Sequence, residues 1–420
     1  MLDLKRIRTE TDRVRAGLAA KGGADLQSIL DLDLRMREIL QEVEVQKAER
    51  NRSSEEIARR KKQGEDASEL LDQMKALSES IKERDAELRE IEQALDEKMR
   101  WLPNVPHESV PVGDPSANRE VRRWGEIPSD AFQPKPHYEI GELLGLLDFG
   151  RASKISGSGF AVFTGWGARL QRALIQYFLD QGRQNRFVEV STPFLVRRDS
   201  MFGTGQIPKL EEDMYRTEPD DLFLIPTAEV SITNLFAGEQ VSHTELPIYR
   251  MGYSPCFRRE AGTYGKETRG LVRVHQFDKV ELVKIVEPAD SYGELESLVA
   301  CVERLLQSLE LPYRVLELAT GDLSFAAAKC YDLEVWAHAE RRWLEVSSCS
   351  NFEEFQARRM NLRYRNEEKK LLYPHTLNGS GLALPRIVVA LLENNQTERG
   401  TIRIPAPLRP YLDGMEELGG

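Results

Sequence analysis

The sequence predicts an α+β protein, in which a long N-terminal antiparallel helical hairpin is joined by a short linker to a domain built on an antiparallel sheet. Three observations lead there. Apolar residues recur at alternating three- and four-residue spacing between Ile29 and Leu95, interrupted by one polar turn. Pro103, Pro106, Pro111 and Pro115 then cluster where that periodicity ends. Further on, residues 251–257 and 271–277 alternate as two strands around a polar, glycine-containing loop. A length of 420 residues with 40% hydrophobic content allows more than one domain and a substantial core.

The first helix of the hairpin is carried by Ile29, Leu32, Met36, Ile39, Val43, Gln46, Arg50, Ser53 and Ile57, a seam that becomes polar in its second half. The second helix is cleaner, with Leu70, Met74, Leu77, Ile81, Arg84, Leu88, Ile91 and Leu95, and Gly64 in the polar run 61–66 supplies the turn. Helices of about 30 residues would reach about 45 Å, too far for the tip to pack on a compact domain. Arg35, Arg52, Arg59 and Arg60 lend the hairpin a moderate basic character, which suits either an RNA contact or a solvated coiled-coil surface. The domains are thus expected at residues 1–102 for the helical arm, 103–118 for the linker and 119–420 for the second domain.

Within the second domain, Leu170, Leu174 and Phe178 form a helical stripe, and residues 187–193 read as a strand ended by Pro193. A helix is expected over residues 387–394, where Val388, Leu391 and Leu392 face a core. The richest stretch runs from Phe257 to Phe277, where Arg258, Arg259, Glu260, Arg269 and Arg273 surround a loop whose Gly265 and Gly270 permit turn geometry. Guanidinium groups are permanently charged and match phosphate oxygens bidentately, so Arg258 and Arg273 on neighbouring strands would hold one phosphate chain. An edge hairpin with solvated charges is the alternative that the residues alone leave open.

This stretch resembles the second signature motif of the class II aminoacyl-tRNA synthetases, and the chain resembles the bacterial-type seryl-tRNA synthetases from its first residues to Pro410. The likeness rests on Thr227-Ala228-Glu229, Phe257-Arg258-Arg259-Glu260, the run 280–284, the run 345–350, and 378–381 with Arg386, all in the family's order. It implies an antiparallel-sheet class II catalytic domain and an ATP-dependent serine–tRNA ligase. Such an enzyme forms seryl-adenylate and passes serine to the 3′-terminal adenosine of tRNA(Ser), with tRNA(Sec) left open as a second acceptor. It also implies roles. Arg258, Arg273 and Arg386 would be catalytic, holding the α-phosphate and the bent triphosphate. Arg259, Glu260, Val274, Phe277, Glu345, Val346, Ser347 and Ser348 would complete the ATP site, with Glu345 and Ser348 on Mg²⁺. Thr227, Ala228, Glu229, Glu281 and Ser380 would hold L-serine beside Arg258. Arg35, Arg52, Arg59, Arg60, Lys266 and Arg269 would touch tRNA. The helix and strand near residues 170–193 resemble the family's first motif and imply a homodimer, and residues 402–405 resemble the terminal strand that closes its sheet. Two positions depart from the commoner pattern: Pro385 stands in place of a glycine before Arg386, and Gly159-Phe160 in place of a charged residue.

Composition narrows the choices further. A net charge of −11 argues against binding nucleic acid through the overall field, so any RNA contact relies on local patches and shape. Cys256, Cys301, Cys330 and Cys349 are scattered without metal-ligand spacing, so no zinc is expected and a reducing interior is. No segment reads as a signal peptide or a membrane span, which points to a cytoplasmic protein without a membrane partner. Two other classes compete: an ATP-dependent enzyme that charges a carrier protein, which would lack the arm, and a catalytically idle RNA-binding scaffold, which would have lost the arginines.

Overall fold

The computed structural model describes residues 1–129, 132–261 and 269–419. The chain forms two compact units, Met1–Pro103 and Asn104–Gly420.

In the first unit, short helices Leu4–Thr9 and Thr11–Ala20 precede the two long ones, Leu26–Gln63 and Ser68–Arg100. The first long helix starts at Asp25, whose carboxylate accepts the Ser28 N–H at 3.2 Å, and stops at Gly64, where φ is +73°. Both ends use groups suited to orphaned backbone donors and a left-handed cap. Every seam position expected from the sequence is buried or half-buried, including the polar ones. The polar layers have partners across the pair: Gln46 Nε2 donates to Ser80 Oγ at 3.0 Å, Arg84 pairs with Glu42 at 3.2 Å, and Arg35 with Glu87 at 2.7 Å. Such rungs add little stability at an exposed surface, but they penalise a slipped register. Asp33, buried in the first long helix, accepts from Arg8 at 2.7 Å and Arg37 at 3.1 Å, which ties the N-terminal helix to the arm.

The second unit is organised by an eight-stranded sheet. In spatial order its strands are Arg119–Trp124, Tyr313–Glu317, Lys329–Ala337, Arg342–Asn351, His375–Ala383, Gln276–Val286, Ile248–Phe257 and Val188–Glu189. All neighbours pair antiparallel except the last, which runs parallel to Ile248–Phe257. Helices Trp166–Gln184, Ser291–Ser308 and Leu384–Asn394 supply the apolar layer, with Leu174, Leu298, Leu306 and Ile387 fully buried in one core with sheet residues Leu333 and Val335.

Several local expectations change. The second strand of the motif hairpin begins at Gln276 rather than 271, because the N–H of Leu271 and the carbonyl of Val272 bond to side chains instead of to a ladder. The strand expected over 187–193 shortens to Val188–Glu189, and Ile402–Arg403 pairs with Glu417–Leu418 in a separate two-stranded sheet instead of closing the main one. The expected 387–394 helix starts earlier, at Leu384, with Pro385 in its first turn, where a missing N–H costs nothing; the substitution for glycine therefore initiates the helix. Residues 104–118 lie within the second unit: the Asn104 amide donates to Ala326 O at 2.9 Å and Phe352 O at 2.8 Å.

Two helical glycines make opposite predictions. A Cβ on Gly167 would sit 2.1 Å from the backbone oxygen of Leu146, whereas one on Gly293 would meet nothing within 4 Å. Gly167→Ala should therefore lower the thermal unfolding midpoint, at a cost of about 1–3 kcal/mol for the enforced backbone shift. Gly293→Ala should raise it slightly, by about 0.5–1 kcal/mol of helix preference. Differential scanning fluorimetry of both variants checks the pair.

Candidate active site

The site is built where the motif hairpin, the strand Arg342–Asn351 and the start of helix Leu384–Asn394 come together. Arg258 is the first residue past Ile248–Phe257. Its backbone is held at both ends, donating to His275 O at 2.9 Å and accepting from His275 Nδ1 at 3.0 Å. Its guanidinium lies over the Phe277 ring, 5.1 Å from the centroid, and donates no hydrogen bond among the described residues. The other two expected catalytic arginines are already braced. Arg273 pairs with Glu260 at 2.6 Å, and Arg386 donates to Val272 O at 3.1 Å and Glu345 O at 2.7 Å. These residues, with Val274, Phe277, Val346 and Ser380, line one lobe of a cavity.

A second lobe is lined by Thr227, Glu229, Asn378 and Ser348, and shares Arg258, Lys279, Glu345 and Ser380 with the first. Below it Glu281 is fully buried, accepting from Lys279 Nζ at 2.6 Å, Thr227 Oγ1 at 3.1 Å and Asn378 Nδ2 at 3.0 Å. Lys279 and Glu281 share a face because side chains alternate along the strand. Thr227 caps the helix Ala228–Thr233, accepting the Glu229 N–H at 3.2 Å, which places the Glu229 side chain beside this group. Burial, aided by the Glu281 charge, raises the Glu229 carboxyl to about 7. Gln356 holds it by donating at 2.7 Å. The side-chain oxygens of Asn378 and Gln206 are buried without a partner among the described residues, which leaves acceptors for a ligand's donors.

On the strand Arg342–Asn351, period-two alternation would send Glu345 and Ser348 to opposite faces. A bulge opposite Leu333 and Glu334 inserts Val346 as an extra residue, and both side chains line the same lobe. Asp332 pairs across from Ser348, and burial together with the Glu345 charge pushes its carboxyl well above the usual range. The carboxylate and hydroxyl oxygens of Glu345, Ser348 and Asp332, with Arg386 3.6 Å from Glu345, are ligand types that fit a hard divalent cation.

Other expected site residues lie elsewhere. Arg259 turns to the backbone of Glu212 at 3.1 Å, and Ser347 Oγ donates to Ser380 O at 2.7 Å. Ala228 is buried within its helix, and Arg269 lies 4.1 Å from the Tyr138 ring centroid. Lys266 falls outside the described residues. On the arm, Arg35 is bound to Glu87, Arg59 and Arg60 both grip Glu56, and Arg52 is exposed with no ion pair among the described residues. Sequence reasoning missed Lys279, Gln206, Gln356 and Asp332. Only Lys279 had a readable signal, its i, i+2 spacing from Glu281. The four cysteines are all free and buried.

Comparison with known proteins identifies this architecture. Residues 1–106 match the seryl-tRNA synthetase N-terminal domain, and residues 210–395 match the tRNA synthetase class II core domain (G, H, P, S and T). A serine–tRNA ligase of Carboxydothermus hydrogenoformans is 52% identical over 422 residues, covering 100% of this chain and 99% of that protein. One from Caldanaerobacter subterraneus subsp. tengcongensis is 54% identical over 417 residues, covering 98% of each. Among solved structures, seryl-tRNA synthetase from Pyrococcus horikoshii complexed with ATP superposes with a TM-score of 0.95 at 39% identity, covering 100% of this chain and 99% of that one. The cytoplasmic enzyme of Naegleria fowleri in complex with AMP gives 0.91 at 26% identity, covering 100% and 98%. The chain belongs to the class II seryl-tRNA synthetase family.

Proposed function

We propose that the two-lobed cavity activates L-serine with ATP, forming seryl-adenylate and pyrophosphate, and that the enzyme then passes serine to the 3′-terminal adenosine of tRNA(Ser). The observation that carries this reading is the Arg258 guanidinium, which has no hydrogen-bond acceptor among the described residues and stands where the two lobes meet. A serine carboxylate oxygen attacks the α-phosphorus, the bond to the β-phosphate oxygen breaks, and pyrophosphate leaves. Negative charge gathers on the phosphoryl oxygens between the lobes, and a fixed cation there lowers the barrier without any protein nucleophile. Arg273 and Arg386, held by Glu260 and Glu345, face the departing phosphates, and Phe277 bounds the nucleotide lobe. Mg²⁺, held by Glu345 and Ser348 with Asp332 behind them, would supply further positive charge to the triphosphate.

Serine completes the second lobe. Its ammonium pairs with Glu229, and its hydroxyl meets Glu281, whose charge is already balanced by Lys279. Alanine lacks the hydroxyl that meets Glu281 and forfeits that hydrogen bond, whereas threonine is excluded by the fit around its extra methyl. The helical arm is assigned to tRNA, and of its four expected arginine contacts Arg52 is the one exposed without an ion pair among the described residues. The homodimer is supported by the family match and by apolar side chains left exposed on this chain, among them Ile155, Val188 and Leu195. No helix among the described residues is long and apolar enough to cross a membrane, and the free cysteines suit a cytoplasmic setting.

Four outcomes test this. Pyrophosphate–ATP exchange should depend on serine and not on threonine, alanine or glycine. Arg258→Ala should reduce kcat for exchange by about a hundredfold or more, the order expected for a lost transition-state donor. The serine KM should fall as pH rises toward 7 and then level off. The ammonium needs Glu229 ionised, so protonation below about 7 weakens binding by about tenfold per pH unit; Glu229→Gln should abolish that dependence while raising KM. Removal of residues 31–97 should leave exchange intact and lower kcat/KM for tRNA charging by about a hundredfold; full charging by the shortened protein would refute the role of the arm.

A further inference from the structure

Away from the reacting groups, His137, Glu340 and Glu393 bring their ligand atoms within 4.8 Å of one another. Their hydrogen bonds leave no lone pair on the histidine for a cation. Glu393 Oε1 accepts from the His137 N–H at 3.0 Å and from His137 Nδ1 at 2.8 Å, and Oε2 accepts from the N–H groups of Ala339 at 2.9 Å and Glu340 at 3.1 Å. The other ring nitrogen, Nε2, accepts from the Leu271 N–H at 3.0 Å. One ring nitrogen donates and the other accepts, so the imidazole is the neutral Nδ1–H tautomer with both positions in use. The His137 and Glu393 side chains are completely buried, where a broken bond leaves an unsatisfied group.

The destination of this relay gives it meaning. Helix Leu384–Asn394 carries Arg386 at its start and Glu393 near its end, about 10 Å apart along the axis at 1.5 Å per residue. From the first point Arg386 Nε grips Val272 O at 3.1 Å, and from the second Glu393 grips Leu271 N–H through His137. Two consecutive residues are therefore fixed by the two ends of one helix, in a stretch outside the strand that begins at Gln276. Leu271, Val272, Arg273 and Val274 all line the nucleotide lobe. The approach needs Gly270, which has φ of +73°; a Cβ there would lie 2.1 Å from His137 Nε2.

We propose that His137, backed by Glu393, is a positioning residue for the nucleotide lobe: it fixes the segment 271–274 and thereby aims Arg273 at the triphosphate and steadies Arg386 through the Val272 carbonyl that it grips. The inference rests on the reading of that lobe as the ATP site. It touches no substrate, so its removal changes the response to ATP and spares the response to serine.

Two amide substitutions separate the halves of the relay. In His137→Gln the amide oxygen reaches about as far as Nε2 and still accepts from Leu271. In His137→Asn the amide nitrogen stands near Nδ1 and still donates to Glu393, but nothing reaches Leu271. Pyrophosphate exchange by the full-length enzyme is measured with ATP and serine varied in turn, and unfolding midpoints are recorded alongside. His137→Asn should raise the ATP KM at least fivefold with the serine KM within twofold of the parent, and His137→Gln should stay within twofold for both. Gly270→Ala, which keeps both His137 and Glu393 and sets a Cβ against the His137 ring so that Leu271 and the imidazole are forced apart, should repeat the ATP-specific rise, and it decides the matter if the asparagine variant does not fold. An unchanged ATP KM in His137→Asn or Gly270→Ala overturns the proposal while the adenylation reading stands. A parent enzyme without serine-dependent exchange overturns both.

Discussion

A fully buried carboxylate in the middle of a sheet has to be satisfied by its neighbours, and Glu281 sets that condition for the whole catalytic unit. An uncompensated charge in such a place costs several kcal/mol, and losing one partner of a buried pair typically costs about 3–5 kcal/mol. Its three donors come from its own strand (Lys279), from the cap of a short helix (Thr227) and from the adjacent strand (Asn378). Satisfying one residue therefore registers three elements against each other. The same network sets the charge of the second lobe: Lys279 balances Glu281, and Glu229, raised by burial and by its neighbour, still lacks a cation. In the proposed reading the serine ammonium supplies it. Selectivity and fold are in this sense one electrostatic problem.

The nucleotide lobe follows a different rule. Its cations are numerous, and they differ in how many contacts the protein gives them. Arg273 and Arg386 are held by carboxylates and carbonyls before any ligand arrives, which in the proposed reading reduces the reorganisation needed for phosphates to bind. Among the described residues Arg258 is held through its backbone and the Phe277 face, so in the proposed reading its hydrogen-bonding capacity remains for the group that joins the two substrates. On the arm the pattern repeats in simpler form: Arg35, Arg59 and Arg60 are occupied by acids of the hairpin, and Arg52 is left to solvent.

Much of this was legible in the sequence. The heptad seam located both long helices because knobs-into-holes packing forces a strict spacing, and even Gln46, Arg50 and Ser53 fell on it. The order of the motif residues gave Arg258, Glu260, Arg273, Glu345 and Arg386, which the fold gathers around one lobe. What escaped was what depends on contacts distant in sequence. Residues 271–275 alternate like a strand, yet side chains from His137 and Arg386 take their backbone groups, and no local pattern records that. Glu345 and Ser348 share a face only because of a bulge, which alternation would deny. Gln356 reaches Glu229 across 127 positions of sequence. Arg259, beside Arg258 in the motif but past the end of the strand, is drawn away by the carbonyls of Glu212 and Asp213, at 3.1 and 2.9 Å, which no local pattern foretells.

The central claim is that Arg258 joins the two lobes at the moment serine and the α-phosphate become one molecule. The most direct measurement is calorimetric titration of the full-length enzyme and of Arg258→Ala with a non-hydrolysable seryl-adenylate analogue, with serine and adenosine titrated separately as controls. The account predicts that the analogue loses at least a hundredfold in affinity while the adenosine affinity changes by less than threefold. Equal binding of the analogue by both proteins would contradict it.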